Sequence, residues 1–215
     1  MNIYDIILWV IIGITGFVSY KGFNDMAFFR KYEFHIGSIK AGEQYRMFTS
    51  AFLHADFVHL IFNMLTLYFF APVVLYHLGV LAFLFIYLGS LACGSLLTLY
   101  FHKNDYSYRA IGASGAVTGV LYSAILLQPD MTLGLYFVIP MPAYIFGIGY
   151  LLYSIYGMRA KNDNIGHTAH FGGAIGGYII TLSRIPSMFQ DNTLMVVLLA
   201  VPIVILFIMA KAGKL

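Results

Sequence analysis

Four polar residues stand out among the apolar runs of this chain: His59, Asn63, Ser114 and His170. Ser114 lies in the uncharged stretch IGASGAVTGV, flanked by Gly112 and Gly115. A serine hydroxyl becomes a nucleophile when a neighbouring base takes its proton. His170, in GHTAHFGGAIGG, is the residue type that most often does so. His59 and Asn63 stand four apart in HLIFN, so they share one helical face. Their N–H groups are of the kind that can hold a developing negative charge. A nucleophile, a base and oxyanion donors are the minimum set for acyl transfer.

Each of these signals also has a plainer reading. Gly115 and Gly119 form a G-x-x-x-G, which in an apolar helix is usually a close-packing face. Gly173 and Gly177 follow His170 at three and seven residues and form a second such face. A single membrane histidine can simply hydrogen-bond a neighbouring carbonyl, and Asn63 can be an interhelical hydrogen-bonding residue. The two readings are compatible. Glycine faces on two helices let the backbones approach, and a serine begins one face while a histidine begins the other.

Those residues need elements to position them, and composition says what kind. The chain has 215 residues, is 60% hydrophobic and 10% charged, and has a mean hydropathy of +0.83. Soluble domains carry about 25% charged residues. An all-α membrane protein is therefore expected, because lipid demands that each segment satisfy its own backbone. Apolar segments fall near 3–20, 57–76, 80–101, 113–128, 133–155, 168–183 and 193–210. Pro202 is expected to kink the last of these without excluding it. The apolar N-terminus has no basic leader and carries Asp5, so it reads as a retained helix rather than a signal peptide. The long connection before residue 57 mixes aromatics and charges, as interfacial amphipathic pieces do. The polar stretch GMRAKNDNIG, 157–166, is a candidate mobile loop.

Helices two, four and six enter from the same membrane side. Their starts carry His59 and Asn63, Ser114, and His170, so the four groups are expected to converge near one surface. No carboxylate lies deep in a segment, which argues against a transporter built on buried acids and leaves no third member for a Ser-His-Asp triad. The net charge of +3 comes from loop lysines and arginines, with no basic, aromatic-interleaved patch for nucleic acid. Cys93 is a lone cysteine in an apolar run and reads as packing. His167 and His170 make only H-x-x-H, not the H-E-x-x-H of a zinc protease, so no metal and no other cofactor is expected. His167 reads as a loop or supporting residue.

The combination of HxxxN in the second helix, GASG at the start of the fourth and His-x-x-Gly-x-x-x-Gly in the sixth resembles the rhomboid family of intramembrane serine proteases. The stretch YRMFTSAFLH resembles that family's aromatic-Arg lead-in, here Tyr45-Arg46. The resemblance spans roughly residues 1–185. It implies six core helices, with the segment at 193–210 a seventh, in a single domain over 1–215. It also implies a Ser114 nucleophile, a His170 base, and an oxyanion hole of His59, Asn63 and the Ser114 N–H. Gly112, Gly115, Thr118 and Gly173 are the supporting positions. The implied partner is a transmembrane protein substrate within membrane lipid. The alternative is a pseudoprotease that binds membrane clients without cutting them. That reading predicts a lost dyad, and both members are present.

Two features depart from the family pattern. Many relatives carry a tyrosine under the histidine ring one turn after the serine, where this chain has Thr118. The ring must then be supported from elsewhere or held more loosely. Charge is the second. Of 12 lysines and arginines, all but Arg184 fall on the side of the first, third and fifth connections. The positive-inside rule places that side in the cytoplasm. The bacterial family pattern places it outside the plasma (inner) membrane, and the family arrangement is the expectation taken.

Overall fold

A computed structural model describes residues 2–135, 139–160 and 165–215. Helix α1 (Ile3–Asn24) opens with a reciprocal cap. The Asn2 side chain accepts from the Asp5 N–H at 2.9 Å, and the Asp5 carboxylate accepts from the Asn2 N–H at 3.1 Å. Asp5 thus satisfies an orphan backbone donor at the helix end. The inward stripe of α1 is Leu8, Thr15, Ser19 and Gly22, while Trp9, Ile14 and Phe17 are exposed. An outward apolar face of this kind suits lipid.

The connection that follows is made of short pieces: α2 (Met26–Tyr32), β1 (Phe34–His35), α3 (Ile36–Lys40), α4 (Arg46–Thr49) and a 3-10 turn at Ser50–Phe52. Arg46 is buried and holds them together. Its Nη1 donates to the carbonyls of Arg30 at 2.7 Å and Glu33 at 3.1 Å, and its Nε donates to the Glu43 carboxylate at 2.5 Å. The planar, multi-donor guanidinium suits a site where several carbonyls converge.

The central bundle begins with α5 (Phe57–Phe101), which breaks at Gly79, where φ is 77° and ψ is 174°. That break separates the second expected segment from the third. Strand β2 (Arg109–Ala110) pairs antiparallel with β1. Helix α6 (Ser114–Leu127) is buried at every position from Gly115 to Leu126 and forms the axis of the bundle. Then come β3 (Thr132–Leu135), β4 (Ile139–Pro142), α7 (Ala143–Ala160), α8 (His167–Arg184), α9 (Met188–Asp191) and α10 (Thr193–Lys211).

Two expectations need correcting. The fold is mostly helical but not all-α, because β1–β2 and β3–β4 are strand pairs. The fifth segment begins as a helix at Ala143 rather than near 133, since the β3–β4 pair takes the preceding residues. Pro140 and Pro142 explain the late start. Proline offers no N–H and drives the residue before it out of the helical region. At the other end, α7 runs on through 157–160, so the polar stretch opens as helix, while its residues 161–164 lie outside the described residues.

Among the described residues, α1, α5 and α10 are long and apolar enough to cross a membrane, and α6 is a shorter apolar helix. Helix α8 gives up hydrophobicity for closeness. A β-carbon on Gly173 would overlap the Gly115 carbonyl oxygen, and one on Gly177 would overlap that of Gly119. The α8 backbone therefore lies directly on that of α6.

Candidate active site

The turn into α6 aims the Ser114 side chain. Gly112 has φ 111°, a conformation that a residue with a side chain adopts only at a cost. A β-carbon there would also stand 2.8 Å from the Cε1 and Nε2 atoms of His59. The Gly112 N–H donates to the Ser50 carbonyl at 3.0 Å. The next N–H, of Ala113, donates to His54 Nε2 at 3.3 Å. Ser114 is the first residue of α6, where the leading N–H groups have no helical partners and the dipole favours negative charge.

Ser114 Oγ lies 2.9 Å from His170 Nε2. His170 comes from the first turn of α8 and is buried. Gly115 and Gly173 set this distance by bringing the two helix starts together. The other ring nitrogen, Nδ1, is 3.3 Å from the Ser154 hydroxyl on α7. The Tyr150 ring, also on α7, lies 5.0 Å from the imidazole at a 30° tilt. Support for the ring thus comes from α7. The Thr118 hydroxyl donates to the Ser114 carbonyl at 2.6 Å, and its side chain also interacts with the Tyr150 hydroxyl.

His59 and Asn63 project from the first turns of α5 toward the same space. Asp56 caps this helix by accepting the His59 N–H at 2.8 Å. The Ala55 N–H donates to His59 Nδ1 at 3.4 Å, so Nε2 carries the proton and is the donor facing Gly112. Asn63 Nδ2 donates one hydrogen to the His59 carbonyl at 3.0 Å and has a second to offer. His59, Asn63, Ser114, Thr118, Tyr150 and His170 all line one cavity of about 900 Å³. That is large enough for several substrate side chains. A second cavity of about 30 Å³ abuts Ser114 and Gly115 and has room for a water molecule. Among the described residues, no group of three His, Cys, Asp or Glu side chains could hold a metal ion.

Sequence reasoning assigned no role to His54, Ser154 or Tyr150. His54 is fully buried, and its Nδ1 pairs with the Ser19 hydroxyl at 2.9 Å, which itself donates to the Phe52 carbonyl at 2.8 Å. Burial first, and then the nearby His59, push His54 down to about 3, against an opposing pull from Asp56. A neutral His54 fits this chain of bonds, accepting at Nε2 and donating at Nδ1. His167 opens α8 as a buried residue, with its ring edge-on to Tyr153 at 5.7 Å and to His170 at 5.8 Å.

A model of the rhomboid domain matches residues 41–187, from α4 to the end of α8. The chain belongs to the rhomboid family. It is 32% identical over 186 residues to the mitochondrial RHOMBOID-like protein 12 of Arabidopsis thaliana, covering 79% of this chain and 55% of that protein. The Bacillus subtilis rhomboid YdcA is 31% identical over 145 residues, 65% of this chain and 67% of that one. The rhomboid protease GluP of the same bacterium is 31% identical over 146 residues, 65% of this chain and 26% of its own length. The chain thus spans about half the length of the plant relative. Rhomboid membership and the apolar helices make it an integral membrane protein. The fold elements that carry Ser114, His59, Asn63 and His170 all fall inside the matched rhomboid region.

Proposed function

We propose that this rhomboid is an intramembrane serine endopeptidase that hydrolyses a peptide bond in or near a substrate's transmembrane segment. The observation that carries the reading is the 2.9 Å contact of Ser114 Oγ with His170 Nε2, in a cavity shared with His59 and Asn63. His170 Nε2 takes the Ser114 proton as Oγ attacks the substrate carbonyl carbon. The oxyanion rests on His59 Nε2–H, the Asn63 amide and the Ser114 N–H. The tetrahedral species expels the amine, which leaves with the proton from His170. Water then gives a proton to His170 and attacks the acyl-enzyme. Ser114 recovers its proton, and a carboxylic acid is released. The Bacillus subtilis relative GluP is named a rhomboid protease, which supports this class of chemistry.

Residues 1–215 form one domain in which α1, the two halves of α5, α6, α7 and α8 are six core spans and α10 is a seventh. In a bacterial plasma membrane, the site faces the extracytoplasmic side. Ser38→Cys, in the first connection, tests that orientation: an impermeant maleimide added to intact cells labels it, and labelling confined to lysed cells reverses the assignment. The nucleophile has its own test. A fluorophosphonate probe labels the wild type, and Ser114→Ala abolishes the signal. Equal labelling of the two sinks the assignment.

A further inference from the structure

The base is held by a helix to which sequence reasoning gave no part in the chemistry. Ser154 and Tyr150 stand four residues apart on α7, so they share a face, and both meet the His170 imidazole. Ser154 is fully buried. When Nε2 serves as the base, the proton of the neutral ring sits on Nδ1 and needs an acceptor. The Ser154 hydroxyl oxygen, 3.3 Å away, is such an acceptor. In a Ser-His-Asp triad a carboxylate does this work. A hydroxyl does it without taking a charge out of water, a severe cost in a site this apolar. Around the imidazole, Tyr150 approaches from α7 and His167 from α8, at 5.0 and 5.8 Å. Glu33, Asp56, Arg30, Arg109 and His59 line the same cavity.

We propose that Ser154 is the positioning residue of the base: by accepting the Nδ1–H of His170, it fixes the tautomer and rotation that turn Nε2 toward Ser114. This inference rests on the protease reading above. Nδ1–H stays on the ring throughout the cycle, and only the Nε2 proton is exchanged with Ser114, the leaving amine and water. The Tyr150 ring limits the remaining tilt.

The test uses the full chain in phospholipid vesicles with a fluorogenic transmembrane reporter peptide, and compares wild type, Ser154→Ala and Ser154→Thr. Alanine is the better helix former, so the fold is not at risk. Ser154→Ala is expected to lower kcat about 5- to 100-fold with KM unchanged, because the bond it removes strengthens when the ring becomes an imidazolium. Ser154→Thr keeps the hydroxyl and restores kcat to within a few-fold. An active wild type beside Ser154→Ala of equal kcat overturns the role of Ser154 alone. So does a loss that follows the thermal midpoint and that threonine does not restore. A wild type that neither cleaves the reporter nor takes a fluorophosphonate overturns the protease reading, and the role of Ser154 with it.

Discussion

A β-carbon on Gly173 would stand only 1.8 Å from the carbonyl oxygen of Gly115. This approach brings α8 near enough for His170 to reach Ser114. Gly173→Ala must therefore push the two helices apart. Overpacking of this kind costs about 1–3 kcal/mol. A displacement of about 1 Å at a reacting pair can lower the rate about 100-fold. Thermal unfolding in detergent and reporter cleavage should show both losses together. Wild-type values in both would mean that the glycine contact does not set the dyad distance.

Gly112 is constrained twice, by its φ of 111° and by the His59 ring beside it. Gly112→Ala should disturb the oxyanion side of the cavity while leaving the Ser114–His170 pair in place. Loss of one oxyanion donor costs about 100- to 1,000-fold in kcat. The expected result is a fall of that order in reporter turnover, with fluorophosphonate labelling still detectable.

Tyr150 supports the imidazole by ring contact. Aromatic pairs are worth about 0.5–1.5 kcal/mol, which converts to roughly 2- to 13-fold. Tyr150→Ala should lower kcat by that amount, and Tyr150→Phe, which keeps the ring, should stay near wild type. Equal losses in the two variants would point instead to the hydroxyl and its Thr118 partner.

His54 sets a pH dependence of stability. In the folded chain it is pushed down from 6.5 to about 3, so it remains neutral where the unfolded chain takes up a proton. Its contribution is present in full above about pH 6.5 and is lost as pH falls toward 3. Thermal midpoints measured across that window should decline for wild type and decline less for His54→Gln. Parallel curves would assign the acid sensitivity to other groups.

The site was legible in the sequence wherever chemistry and helical spacing coincide. HLIFN, GASG and His-x-x-Gly-x-x-x-Gly put the four candidate residues at helix starts, and the glycines marked where backbones touch. Segment ends fell close to the expected bounds where hydropathy changes sharply: α5 starts at Phe57 and breaks at Gly79, and α6 starts at Ser114. The start of α7 did not, because hydropathy alone does not distinguish the β3–β4 pair from a helical turn, although Pro140 and Pro142 carried the signal. Tyr150 and Ser154 were hidden for a different reason. Each is an ordinary residue of an apolar helix, and only the placement of α7 against α8 brings them to His170. His54 was hidden because its partners, Ser19 and Ala113, come from distant parts of the chain.

The central claim is that Ser114 attacks a peptide bond with His170 as its base. The most direct measurement is cleavage of a transmembrane reporter by purified wild type and Ser114→Ala reconstituted in vesicles, with products identified by mass spectrometry. The account predicts one discrete cut by the wild type, in or near the reporter's transmembrane segment, and none by Ser114→Ala. Undiminished cleavage by Ser114→Ala, or an intact reporter after incubation with folded wild type, would contradict it.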